Sequence, residues 1–216
     1  SFGSSAEYFG AGGDAVRAVY DTTNNYFLAA YRRISSGDLS VKAGSISTGS
    51  WVNATSGNYS FATGANTALI DITYDVNADA VALLYRDNAN DLYGRTGTVV
   101  PADGTTTFGT ATQIHSGDPS AMGSLTYDST AQKCVAVFRN VSDYPRFCNG
   151  TVTGTSISFN TAARLWTDNA LYARGNICPI ASGKVGFIAQ SSSTTGSLVD
   201  NYAYASVLQN VETTST

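Results

Sequence analysis

The eighteen residues Leu69-Ile70-Asp71-Ile72-Thr73-Tyr74-Asp75-Val76-Asn77-Ala78-Asp79-Ala80-Val81-Ala82-Leu83-Leu84-Tyr85-Arg86 decide the fold. The first seven read as a strand ending in Tyr-Asp, and Val76 to Asp79 read as a turn. The apolar run Val81 to Arg86 follows as a second strand. Split by alternation, one face of that strand carries Val81 and Leu83 and the other carries Ala82 and Leu84. Both faces are apolar, so the strand belongs inside a stack of sheets rather than on a half-wet surface.

The same text recurs. Tyr-Asp stands at Tyr20-Asp21, Tyr74-Asp75 and Tyr127-Asp128, spaced 54 and 53 residues. Eleven residues after each tyrosine comes an aromatic followed by arginine: Tyr31-Arg32, Tyr85-Arg86 and Phe138-Arg139. A glycine follows at Gly44, Gly97 and Gly150. A fourth, diverged copy places Cys178-Pro179 at the Tyr-Asp position and Ala189-Gln190 at the aromatic-arginine position. The second strands then align as Phe27 to Arg32, Val81 to Arg86, Cys134 to Arg139 and Val185 to Gln190. A third strand crosses the glycine (Tyr93 to Val99). A fourth is expected at Thr107 to Thr112 and at Ser158 to Ala163. The outer part of the first unit, between Trp51 and Phe61, is irregular.

Four-stranded units of this length, buried on both faces, predict propeller blades. The length agrees, since 216 is four times 54. The segment Ser1 to Ala6 matches a fourth strand, and the last unit ends near Thr216 without one. The expectation is therefore a single all-β domain over 1–216. It is a four-bladed β-propeller with blades near 11–66, 67–119, 120–170 and 171–216, and residues 1–10 complete the last blade and remove the sheet edges. An incomplete segment of a larger propeller and an open array completed by neighbouring chains are the alternatives.

Composition narrows the function. Charged residues make up 13% of the chain, the net charge is −4, and lysine is scarce, which argues against a nucleic-acid backbone binder. Serine and threonine supply about a quarter of the residues, and 21 glycines accompany them, which disfavours a helical bundle. A hydrophobic content of 43% disfavours disorder. The longest apolar stretch, Ala80 to Tyr85, is too short to span a bilayer, so no membrane insertion is expected. The opening on Ser1, with no basic-then-apolar leader, suggests a processed product or an excised piece.

No set of residues reads as catalytic. The sole histidine, His115, lies in the turn-like His115-Ser116-Gly117-Asp118-Pro119 and reads as an exposed loop residue. No Gly-x-Ser-x-Gly elbow is present. A propeller glycosidase needs two placed carboxylates. Both glutamates (Glu7, Glu212) are near the ends, and Asp21, Asp75 and Asp128 recur in step, as turn caps would. The oxygen-rich Asp75-x-Asn77-x-Asp79 has Ala80 and Arg86 where a calcium loop needs glycine and glutamate, so it reads as a hairpin. Cys134 reads as a small core hydrophobe. A cross-strand Cys134–Cys148 disulfide stays open, and no cysteine pair has zinc-knuckle spacing. No metal or cofactor is expected. Arg32, Arg86 and Arg139 read as structural partners of a neighbouring blade's aspartates or carbonyls. The four asparagine sequons (Asn53, Asn58, Asn140, Asn149) are what composition alone produces.

Function is then expected in the loops that join second to third strands and one blade to the next, which share one face. Candidate ligand-binding residues there are Asp87, Asn90, Asp91, Tyr93, Asp143, Tyr144, Arg146 and Tyr172. Carboxylates and amides beside tyrosines suit sugar recognition. The pattern Tyr74-Asp75, Tyr85-Arg86-Asp87-Asn88-Ala89-Asn90-Asp91-Leu92-Tyr93-Gly94, Gly97-Thr98-Val99, Thr107-Phe108-Gly109-Thr110-Ala111 resembles tandem repeats in tail-fibre and other adhesion proteins of marine tailed bacteriophages. The copy from Gly150 to Phe159 is especially similar to them, and Val211 to Thr216 resembles the point where such repeats pass into a further domain. The resemblance implies a virion appendage in an oligomeric fibre, with a host cell-surface glycan or receptor and other virion or fibre subunits as partners. It transfers no catalytic residue. A non-enzymatic adhesin is therefore the first expectation. A structural virion or filament subunit is the second, and a propeller glycoside hydrolase the third.

Overall fold

The computed structural model describes residues 13–47, 50–53, 59–64, 67–100, 104–117, 123–139, 145–165, 171–172, 177–181, 183–191 and 203–209. They form four separate antiparallel sheets and no helix. The first sheet holds β1 (Gly13–Asp21), β2 (Tyr26–Arg33), β3 (Leu39–Ser47), β4 (Ser50–Asn53) and β5 (Tyr59–Ala62). The second holds β6 (Ala68–Asp75), β7 (Ala80–Arg86), β8 (Leu92–Val99), β9 (Thr106–Phe108) and β10 (Thr112–His115). The third holds β11 (Gly123–Asp128), β12 (Lys133–Arg139), β13 (Pro145–Thr153), β14 (Ser156–Phe159) and β15 (Ala163–Arg164). The fourth holds β16 (Leu171–Tyr172), β17 (Ile177–Ala181), β18 (Lys184–Ser191) and β19 (Ala203–Gln209).

The sheets stack by one rule. The Leu28 and Ala30 face of β2 packs on the Val81, Leu83 and Tyr85 face of β7. The Ala82 and Leu84 face of β7 packs on Cys134, Ala136 and Phe138 of β12. The Val135 and Val137 face of β12 packs on Val185 and Phe187 of β18. Each second strand is thus apolar on both faces because each face meets a different sheet, as the alternation requires. The first strands touch in succession, β1 with β6, β6 with β11, and β11 with β17.

The recurring aspartates cap turns. Asp75 Oδ1 accepts from the backbone N–H of Asn77 and Ala78, both at 2.9 Å. Asp21 takes Thr23 and Asn24, and Asp128 takes Thr130 and Ala131, in the same way. Four residues on, Asn25, Asp79 and Gln132 each adopt positive φ to close the loop. The tyrosine beside each aspartate bonds into these turns. Tyr74 donates to Asp79, Tyr20 to Asn25, and Tyr127 to Asn77 of the preceding sheet.

The glycine column has a steric cause. A Cβ on Gly97 would stand 2.5 Å from the Phe108 ring, and one on Gly150 would stand 2.7 Å from the Phe159 ring. Each outer-strand phenylalanine lies across the glycine opposite it and covers exposed backbone.

Several expectations need correction. The fourth strand is not continuous over 107–112 or 158–163. β8 advances three residues from Gly97 to Gly94 while its partner advances four, from Phe108 to Thr112. One residue is bulged out, and the third sheet repeats this between Phe159 and Ala163. His115 is not in a loop but ends β10. In the fourth unit Pro179, not Cys178, takes the tyrosine slot, because it pairs with Val185 as Tyr127 pairs with Cys134. Ala181 falls where the other units have the capping aspartate, opposite Lys184. Cys134 and Cys148 are free and buried, with Cys148 opposite Ala136 rather than Cys134. Burial pushes both thiols up, Cys148 to about 12. Arg32 pairs with Asp14 of its own sheet at 2.8 Å, not with a neighbouring blade. The expected pairing of residues 1–10 with the last unit lies outside the described residues.

Candidate functional site

The antiparallel order places two kinds of connection at opposite ends of the sheets. The hairpins β6–β7, β11–β12 and β13–β14 gather at one end, and the β7–β8 loop lies at the other.

The β7–β8 loop carries four of the eight candidate residues, and each holds a position in the scaffold. Asp87 Oδ1 accepts from the N–H of Ala89 at 2.9 Å and Asp91 at 2.8 Å, which shapes the turn. Asn90 supplies its positive φ of 68°. Asp91 accepts from Gln113 Nε2 and from the Gly117 N–H, both at 2.8 Å, and so ties the loop to β10 and the segment after it. Tyr93 stacks on Tyr85 across the strand pair, with centroids 5.9 Å apart and planes 21° apart. Burial pushes the Tyr85 hydroxyl up to about 12. Phe61 packs edge-on against Tyr85, Phe108 follows it, and Arg95 bonds to the carbonyls of Phe61 and Gly109. The ring that sequence assigned to a sugar thus belongs to the seam between the first two sheets.

Arg146 lies on β13, opposite Phe138, and donates to the Ala162 carbonyl at 3.2 Å. His115 sits against Phe138, centroids 5.8 Å apart. Burial is the main cause holding its imidazole below the ordinary value, Arg146 adds to it, and Asp91 opposes. Tyr172 is on β16, opposite Gln190. Asp143 and Tyr144 lie outside the described residues.

The hairpin end holds a cleft of about 280 Å³. Its walls are the β6–β7 turn (Asp75, Asn77, Ala78), the start of the β11–β12 hairpin (Tyr127, Ala131, Gln132, Lys133) and the β13–β14 hairpin (Thr151 to Gly154). Lys133 Nζ donates to Thr151 Oγ1 at 2.7 Å, and Tyr127 donates to Asn77 Oδ1 at 2.6 Å. Burial and a hydrogen bond with Asp75 raise the Tyr127 hydroxyl, so it stays protonated and can donate. Asp75, buried at the base, is engaged by two backbone N–H groups. The oxygens of the Asp75-x-Asn77-x-Asp79 stretch point to different partners, Asp79 bonding Tyr74 and Asn24, and no calcium loop results. Among the described residues no three His, Cys, Asp or Glu side chains converge as metal ligands would.

Sequence reasoning missed Asn77, Gln132, Lys133 and Thr151. Each is an ordinary hairpin residue, and their convergence depends on neighbouring sheets bringing three hairpins together. No local spacing encodes that. The one available signal was negative: the positions of Asn77, Gln132 and Lys133 are not constant over the first three units, while the aspartate and tyrosine beside them repeat.

No protein-family model matches the chain, and no curated protein matches it. Among solved structures it is similar to the catalytic domain of a GH62 alpha-L-arabinofuranosidase from Coprinopsis cinerea. The TM-score is 0.48 at 12% identity, over 94% of this chain and 66% of that one, so the chain spans just under two thirds of it. It is also similar to an alpha-L-arabinofuranosidase from Podospora anserina in complex with cellotriose (TM-score 0.45, 10% identity, 90% and 72% covered). A chain of a nidogen/laminin complex is a third (TM-score 0.40, 10% identity, 89% and 84% covered).

Proposed function

We propose that the chain is a non-enzymatic binding module of a virion appendage or other extracellular fibre, which recognises glycan on a host surface. In this reading the four sheets are blades of a four-bladed propeller with repeats of about 54 residues. An N-terminal segment near 1–10 supplies the outer strand that the last blade needs. The resemblance of the repeats to phage adhesion proteins supports the setting. The cleft at the hairpin end carries the chemistry.

That cleft offers an ammonium, two amides, hydroxyls and one aromatic hydroxyl on hairpins fixed by buried aspartate caps. Hydroxyl-rich ligands need such alternating donors and acceptors on a rigid frame. Its volume is near the lower bound of small-molecule clefts, about 300 Å³, which suits a terminal sugar residue. The carboxylate in its wall is committed to backbone donors, which favours holding a sugar over cleaving one.

The test is a glycan array read with the intact chain, beside Lys133→Ala, Asn77→Ala and Tyr93→Ala. Binding lost tenfold or more on the first two substitutions and kept on the third is expected. Binding lost only with Tyr93→Ala moves the site to the loop end. No binding to any glycan, or sugar release that depends on an aspartate, refutes the reading.

A further inference from the structure

The cleft at the hairpin end has a hydrogen-bond balance that selects among sugars. Several of its acceptors are already taken. Asp75 is 3% exposed, its Oδ1 accepts from two backbone N–H groups, and the Tyr127 hydroxyl bonds to it as well. Asn77 Oδ1 accepts from Tyr127 at 2.6 Å, and Thr151 Oγ1 accepts from Lys133 at 2.7 Å. What these contacts leave over is donors. With its oxygen held by Tyr127, the Asn77 amide keeps its NH2 group for another partner. Thr151, having accepted from Lys133, keeps its own O–H to give. Lys133 spends one N–H on Thr151 and keeps the rest.

Charge points the same way. The ion pair among the described residues is Arg32 with Asp14, and the Lys133 ammonium rests on a neutral hydroxyl instead. The hairpin does not need a lysine there. Opposite the capping aspartate the first unit has Tyr26 and the second has Ala80, and the same turn closes in both. The cation is therefore available to a ligand that lines up with the wall of the cleft.

We infer that the cleft takes a sugar bearing a carboxylate, as a uronic acid does, with Lys133, Asn77 and Thr151 as the donors to it. This rests on the reading of the cleft as a glycan site and names the class of sugar. An ionised carboxylate accepts through both oxygens and donates nothing, which complements a donor set whose own acceptors are committed. Its bonds to an ammonium are charge-assisted and roughly twice as strong as neutral ones. Gln132 adds an amide that both donates and accepts, which suits the hydroxyls of the same sugar. The net charge of −4 gives no broad basic surface for a sulfated polymer, so the selection is local to one carboxylate.

The test is a glycan array printed in duplicate, with the carboxyl groups of one copy converted to methyl esters, read with the intact chain. Binding to carboxylate-bearing glycans should fall at least about tenfold on the esterified copy, the loss expected when bonds to a charged group are removed. Lys133→Met keeps the side-chain length and removes the charge, so it should lose that difference, with the circular-dichroism spectrum unchanged. Lys133→Arg keeps the charge and should retain it. Equal binding on both copies overturns the inference and leaves glycan recognition standing. A preference that persists in Lys133→Met, or is lost as fully in Lys133→Arg, also overturns it, because the ammonium then does not read the carboxylate. Binding to no glycan on either copy overturns both readings together.

Discussion

Gly94→Ala probes the contact between the second and third sheets. A Cβ there would stand 2.3 and 2.5 Å from Cε2 and Cζ of Phe159, which belongs to the next sheet. Ordinary carbon contacts lie near 3.5–4.0 Å, so the ring would have to move by more than an ångström. It cannot retreat freely, because its other edge lies on Gly150, where a Cβ would be 2.7 Å away. Overpacking of this kind costs about 1–3 kcal/mol. For a domain of this size that is roughly 2–12 °C in Tm, at about 2–4 °C per kcal/mol. In a Phe159→Ala background the obstacle is gone, and the nearest remaining atom is Ile114 Cδ1 at 3.5 Å, an ordinary contact. There the same substitution removes glycine's entropic penalty in a strand and should be neutral or stabilising by up to about 0.5–1 kcal/mol. The effect should change sign. Urea unfolding of the four proteins of this double-mutant cycle measures the coupling. Additive effects within about 0.5 kcal/mol would mean that Phe159 does not sit between these two sheets, and the stacking of the second on the third would be wrong.

Two further outcomes are expected. Asp128→Ala removes the acceptor of two turn N–H groups and should cost about 2 kcal/mol, allowing for partial rehydration of the donors, while Asp128→Asn keeps one acceptor oxygen and should cost under about 1 kcal/mol; paired denaturant titrations separate them. His115 is held below its ordinary 6.5 mainly by burial, so the unfolded chain takes up its proton first as pH falls. Its contribution to stability is complete above 6.5 and is lost as pH drops through the lowered folded value. Unfolding at pH 7.5 and 5.5 should show a decline that His115→Gln flattens, and an identical decline in both proteins would remove the histidine from the account.

The fold was legible because its spacing is enforced by atoms that have few substitutes. A short side chain with an acceptor oxygen reaches both N–H groups of the four-residue turn, and aspartate marks that turn in the first three units. Only glycine admits the phenylalanine that crosses it from the outer strand, so glycine stands at 97 and at 150. The break in the fourth strand was hidden because a one-residue bulge preserves composition and shifts only the pairing. The slip at Pro179 was hidden for the same reason: a bulge between Pro179 and Ala181 moves the alignment by one place without altering the count of apolar residues. Sequence did not show that the candidate loop residues also hold the scaffold. Asp91 and Asp38 each stand before the first residue of a third strand and accept from a glycine N–H, Gly117 and Gly64, so the loop aspartate is a staple repeated between units, and Asp87 adds an internal one.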